Sequence, residues 1–121
     1  MPTRVFVYGT LRRGEANHHL LATATFVRDA RTPPAFTLYA FEGHPGMGDG
    51  GTSAIVGECF DVDEATLAML DELEDHPRWY QRRSLALEDG EVVLAYVLPP
   101  HFTAGRAVIP GGDWVHWRRG A

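Results

Sequence analysis

Four acids crowd the end of the run Glu64-Ala65-Thr66-Leu67-Ala68-Met69-Leu70-Asp71-Glu72-Leu73-Glu74-Asp75, and one of them falls on the apolar side. At about 100° per residue, Leu67, Leu70 and Leu73 form one inward stripe, and Glu74 lies within roughly 40° of Leu70 on it. Glu72 points to solvent, Asp71 lies at the margin and Asp75 farther round. An inward carboxylate is paired, protonated or in use, because an unpaired buried charge costs several kcal/mol. Glu74 therefore either meets Arg82 or Arg83 in an ion pair or serves as a general base. In the second case partial desolvation would raise its pKa towards the range in which a carboxylate abstracts protons near neutrality.

The second group is Arg4-Val5-Phe6-Val7-Tyr8-Gly9-Thr10-Leu11-Arg12-Arg13-Gly14, where a hydrophobic run stops at glycine. Val5 to Tyr8 are β-formers without polar alternation, which predicts a strand covered on both faces. A strand ending inside the fold and turning on Gly9 leaves the N–H groups of Gly9, Thr10 and Leu11 without ladder partners and free to face an anion. Gly9 allows a turn or a close approach that no residue with a Cβ permits, and Thr10 adds a hydroxyl. An ordinary strand-to-loop turn would use the same residues.

Other chemistries have less support. Six histidines show no HxxxH or HExxH pairing and no cysteine pair exists, so neither a metal nor a cofactor is expected. Cys59 falls in the middle of a predicted strand and reads as a small buried residue. Ser53 and Ser84 lack a Gly-x-Ser-x-Gly elbow, and the absence of lysine removes a Schiff base. Net charge −5 with arginines in isolated pairs argues against nucleic acid. Apolar residues at 45% and charged residues at 22% argue against both disorder and a membrane span. With 121 residues, the expectation is one domain spanning 1–121. The absence of a charged n-region, apolar h-region and cleavage site predicts a cytoplasmic protein.

The elements that must position these groups follow in order. Glu15 to Leu21 is a marginal helix. Ala24-Thr25-Phe26-Val27 is β-like and ends before Thr32-Pro33-Pro34, and Phe36-Thr37-Leu38-Tyr39 is a second short strand. Glu42 to Gly51, five residues of which are glycine, reads as a mobile surface loop. It lacks Gly-Lys-Ser/Thr and GxGxxG spacing, so a nucleotide site there is disfavoured. Ser53 to Val62 is a long strand in which Gly57 marks a bulge or a close backbone approach. Asp61 or Asp63 caps the acidic helix, which Pro77 stops. Asp89-Gly90 joins Tyr80–Leu87 to Glu91–Leu98 in an antiparallel hairpin. The tail from Pro99 carries Trp114 and Trp117, both expected to cover core.

Val5-Phe6-Val7-Tyr8-Gly9-Thr10-Leu11-Arg12-Arg13-Gly14, Asn17-His18, Gly57-Glu58 and Leu70-Asp71-Glu72-Leu73-Glu74-Asp75-His76-Pro77 through Tyr80-Gln81-Arg82 together resemble the γ-glutamylcyclotransferase (AIG2-like) superfamily, and within it the γ-glutamylaminecyclotransferase branch. The likeness spans residues 4 to about 98, with Gly112-Asp113-Trp114 a weaker family-like feature. It implies an α+β fold, a small mixed β-barrel with one main helix packed against it. It also implies a substrate cavity at Tyr8, Gly9, Thr10 and Leu11, and a catalytic glutamate at Glu74. The implied substrate is a small γ-glutamyl amide or peptide, cyclised to 5-oxoproline with release of a free amine. Arg82 would brace the helix end, Tyr96 would line the cavity, and the glycine-rich stretch from Gly43 to Gly51 would rim it. The oligomeric state and the leaving amine stay open, and a non-catalytic module binding a small carboxylate is the alternative.

Overall fold

The computed structural model describes residues 2–120. Its first strand, β1 (Thr3–Val7), lies in the middle of a five-stranded sheet. On one side β1 pairs antiparallel with β5 (Val56–Val62), whose outer edge carries β2 (Thr25–Arg31). On the other side it runs parallel to β7 (Val92–Val97), which pairs antiparallel with β6 (Gln81–Ala86). A central position explains the unbroken hydrophobic run, because alternate side chains serve two different cores. Phe6 enters a cluster with Leu38, Met47, Ile109 and Trp114, whereas Val5 and Val7 join Phe60, Val62 and Leu70.

The second sheet has three strands, with β3 (Phe36–Phe41) between β4 (His44–Asp49) and β8 (Ala107–Val108). The expected barrel does not form: the two sheets are not closed on one another, so the fold is mixed α+β. One backbone bond, Leu98 N–H to the Met47 carbonyl at 2.8 Å, ties the end of β7 to β4.

Strand β4 corrects the expected surface loop. Glu42-Gly43 is a tight hairpin, with Gly43 at φ +79°, and Pro45 to Gly48 are buried strand residues. Glycine here marks crowding rather than mobility, since a Cβ on Gly46 would stand 2.2 Å from Leu98 Cδ1. Gly57 is the predicted close approach, with the Val7 carbonyl oxygen 2.3 Å from where its Cβ would be. The sheet's irregularity lies instead in β2, between Phe26 and Arg28.

Helix α1 (Glu64–Leu73) starts at Asp63, whose carboxylate accepts from Thr66 N–H at 2.8 Å. Asp61 is used elsewhere, in an ion pair with Arg4. Leu70 is fully buried and Leu67 packs at the cluster's edge, but Leu73 is 38% exposed, contrary to the inward stripe. The helix stops at Leu73, so that side chain borders a cavity instead of core. A short second helix, α2 (Trp114–Arg118), buries Trp114 but leaves Trp117 43% exposed, so only one of the two tryptophans covers the core. The marginal helix is a single 3₁₀ turn, His18–Leu21. Among the described residues no helix is long and apolar enough to cross a membrane.

Candidate active site

A cavity of about 250 Å³ opens where β1, the start of β4 and the end of α1 meet. That is small beside the roughly 300–1,000 Å³ of sites for drug-sized ligands, so it suits a small metabolite. Tyr8, Gly9, Thr10 and Leu11 line it, and so does Glu74. All five sequence-predicted site residues are thus brought to one hollow.

The loop after β1 turns its backbone into a set of donors. The carbonyl oxygen of Gly9 accepts from Arg12 N–H at 3.1 Å and that of Thr10 from Asn17 N–H at 2.8 Å. His18 Nδ1 lies 3.0 Å from the Leu11 carbonyl, which can only accept. The N–H groups of Gly9, Thr10 and Leu11 have no acceptor among the described residues. Asn17 Nδ2 donates to Thr10 Oγ1 at 2.9 Å, leaving the threonine proton free to be given. Gly9 is required for a reason other than a left-handed turn: a Cβ there would lie 2.7 Å from two carbons of the Pro45 ring.

A clamp holds this loop in place. Arg12 Nη1 donates to Asp113 at 3.0 Å and Arg12 Nε to Glu58 at 3.3 Å, while Glu58 also accepts from Arg13 N–H at 2.9 Å. Asp113 in turn caps α2 through His116 N–H. Glu58 and Asp113, which belong to the motifs quoted for their resemblance, therefore act through Arg12 on the loop. Tyr8 is equally committed: its hydroxyl donates to the Tyr96 carbonyl at 2.7 Å and accepts from Met47 N–H at 3.0 Å. It shapes the wall and is not free to move a proton, and burial pushes its pKa upward.

Glu74 closes α1 as its C-cap, its N–H bonded to the Leu70 carbonyl at 3.0 Å. Asp75, at φ +52°, then reverses the chain, and the Glu74 carbonyl receives Tyr80 N–H at 3.2 Å. The side chain makes no hydrogen bond or ion pair among the described residues. Arg82 is taken by Asp71, at 2.6 Å, and Arg83 by Asp49. Tyr96 lines the cavity and donates its hydroxyl to Asp71 at 2.7 Å. With no cation beside it, Glu74 is pushed up by desolvation to about 7. The negative end of the α1 dipole acts in the same direction. Cys59 is buried in β5 and its thiol is pushed up to about 11, which leaves it inert.

Among the lining residues not named as site residues from the sequence are His44, Trp79 and Tyr80. The first lies in the Gly43 to Gly51 stretch expected to rim the pocket, but the surface-loop reading of that stretch gave no reason to single it out. The other two follow Pro77 and carry no periodic signal. The cis bond between His76 and Pro77 falls in that segment.

The family described as "Gamma-glutamyl cyclotransferase, AIG2-like" matches residues 5–116. The chain is 39% identical over 110 residues to the "Putative gamma-glutamylcyclotransferase" of Vibrio cholerae, covering 91% of this chain and 93% of that one. It is 37% identical over 97 residues to the gamma-glutamylaminecyclotransferase C of Danio rerio, covering 69% of this chain and 61% of that one. The crystal structure of an AIG2-like protein from Mus musculus superposes with a TM-score of 0.78 at 29% identity, over 93% of this chain and 88% of that one. Because that family match spans residues 5–116, the chain belongs to the gamma-glutamyl cyclotransferase, AIG2-like family and is a gamma-glutamylcyclotransferase-like enzyme.

Proposed function

We propose that the protein cyclises a small γ-glutamyl amide or peptide, releasing 5-oxoproline and a free amine, with Glu74 as the general base and then the general acid. The observation that carries this reading is the placement of an unpaired carboxylate, pushed up by burial to about 7, in the same small cavity as three amide donors without acceptors among the described residues.

The chemistry is intramolecular. The Glu74 carboxylate takes a proton from the substrate's α-ammonium, and the freed nitrogen attacks the γ-carbonyl carbon to close a five-membered ring. As the bond from that carbon to the departing nitrogen breaks, the Glu74 carboxylic acid gives its proton to that nitrogen. The carboxylate then takes the second proton that the ring nitrogen must lose to become the lactam N–H and passes it to the freed amine, which leaves as its ammonium. A carboxyl group pushed up to about 7 lies nearer the range of an ammonium than an ordinary carboxylate does, which lowers the cost of passing a proton between them in either direction. The N–H groups of Gly9, Thr10 and Leu11 receive negative charge, either the substrate's α-carboxylate or the developing oxyanion. Holding the folded-back conformer supplies the rest, since the reacting groups belong to one molecule. No metal or cofactor enters the scheme.

The test is a panel of γ-glutamyl amides and dipeptides incubated with purified protein, with 5-oxoproline measured directly. Release from at least one member is expected. Ligand-dependent thermal stabilisation without turnover across the panel would leave a carboxylate-binding module instead.

A further inference from the structure

His44 opens β4 and its ring lines the cavity, yet the proton transfers above make no use of it. The ring's hydrogen-bond state follows from its neighbours. Tyr80 donates its only hydroxyl proton to the Pro45 carbonyl at 2.7 Å, and burial raises the phenol's pKa so that the proton stays. His44 Nδ1 lies 3.0 Å from the same hydroxyl oxygen. A hydroxyl whose proton is committed offers only lone pairs, so Nδ1 must carry a hydrogen and donate it. Burial outweighs a hydrogen bond to the Pro45 backbone, which acts the other way, and with the Arg106 guanidinium holds the imidazole below the usual histidine range. A neutral imidazole has a single N–H, which leaves Nε2 as a bare acceptor.

That acceptor is open. Nε2 has no partner among the described residues, and no solvent-inaccessible side-chain nitrogen or oxygen among them lacks one, so Nε2 faces free space. The ring is also fixed in place. It stacks on Phe41 at 5.1 Å and 11°, and meets Trp79 edge to face at 5.3 Å and 87°.

We infer that His44 Nε2 accepts the N–H of the substrate's scissile amide, so that His44 and the adjoining Trp79 indole form the leaving-amine subsite and the enzyme selects γ-glutamyl amides of primary amines. Such amides still carry a hydrogen on nitrogen; amides of secondary amines do not. Drawing on that hydrogen fixes the amide plane and raises electron density on the nitrogen, which eases its protonation by Glu74 as the carbon–nitrogen bond breaks. The inference rests on the cyclisation proposed above.

The experiment pairs a γ-glutamyl N-alkylamide with its N-methyl-N-alkyl counterpart and uses two variants. His44→Asn keeps a donor near the Nδ1 position but removes the distal acceptor, whereas His44→Gln puts an amide oxygen near the Nε2 position. For His44→Asn, kcat/KM on the N-alkylamide should fall roughly 10-fold, while any turnover of the N-methyl compound changes by less than about 3-fold. His44→Gln should recover most of the loss. An equal loss on both compounds, or no loss on either, overturns the inference. Nitrogen-15 NMR of the wild-type histidine gives a readout that needs neither variant to fold: a protonated Nδ1 and a bare Nε2 are expected, and the opposite tautomer overturns it. Failure of the wild type on every amide would sink the cyclisation reading itself, and the nitrogen spectrum would still decide the state of the ring.

Discussion

Arg82 binds Asp71 at 2.6 Å, and by doing so it leaves Glu74, three residues farther along the same helix end, without a cation. The cluster of acids at the end of α1 is divided by this one contact. Asp71 becomes structural, held by Arg82 and by the Tyr96 hydroxyl, and Glu74 is free to titrate near neutrality. If this division sets the base, Asp71→Asn should lower the pKa of Glu74, because it removes a neighbouring negative charge and leaves the Arg82 charge uncompensated. The acidic limb of the kcat/KM profile is expected to move to lower pH, and an unmoved limb would separate Asp71 from the reaction.

Removing the base while keeping its shape is the direct test of mechanism. Glu74→Gln should lower turnover by roughly 10²-fold or more, with the fold intact by circular dichroism. In the wild type, kcat/KM should rise with pH through about 7 as the carboxylate forms. A fully active Glu74→Gln variant would disprove the proposed proton transfers.

The same carboxylate affects stability. Its native pKa of about 7 exceeds the ordinary 4.5, so between those values the native state keeps a proton that the unfolded chain has released. The resulting stabilisation is complete below about 4.5 and lost as pH rises through about 7. Denaturant unfolding at pH 5 and pH 8 should therefore show the wild type losing stability relative to Glu74→Gln at the higher pH. A difference that stays constant with pH would mean the carboxylate is not desolvated in solution.

The loop clamp makes a separate prediction. The Glu58 side chain is only 5% exposed and is bonded to Arg12 and Arg13. Arg12→Ala removes part of the charge that compensates it, and breaking a buried pair in this way costs about 3 kcal/mol. Urea unfolding should register that loss, and any residual activity should show a raised KM because the amide donors lose their support. A variant with wild-type stability would show that the clamp is dispensable.

Gly9→Ala should be more damaging than its size suggests. The added methyl would sit 2.7 Å from the Pro45 ring, which cannot rotate away, so either β4 or the loop must move. Destabilisation of about 1–3 kcal/mol is expected, accompanied by loss of 5-oxoproline release. Normal activity in this variant would show that the spacing between the loop and β4 does not matter to the site.

Much of this protein is legible in local chemistry. The alternation-free run at Val5 to Val7 announces a strand covered on both faces, Asp61 and Asp63 mark the start of the acidic helix without deciding its cap, Asp89-Gly90 marks the hairpin, and helical phase alone turns Glu74 inward. These are short-range effects of backbone geometry and side-chain spacing, and one chain segment carries all the information they need. Tertiary structure decided what lies beyond a segment's reach. Which acid Arg82 chooses depends on where β6 crosses the end of α1. Whether Gly46 is loop or crowded strand depends on Leu98, fifty-two residues away, and the tautomer of His44 depends on a hydroxyl that the fold brings from Tyr80. The choice between an ion pair and a free base at Glu74 was open in the sequence because both readings share one helical phase. Packing removes the ion-pair option by setting Arg82 against Asp71 and Arg83 against Asp49.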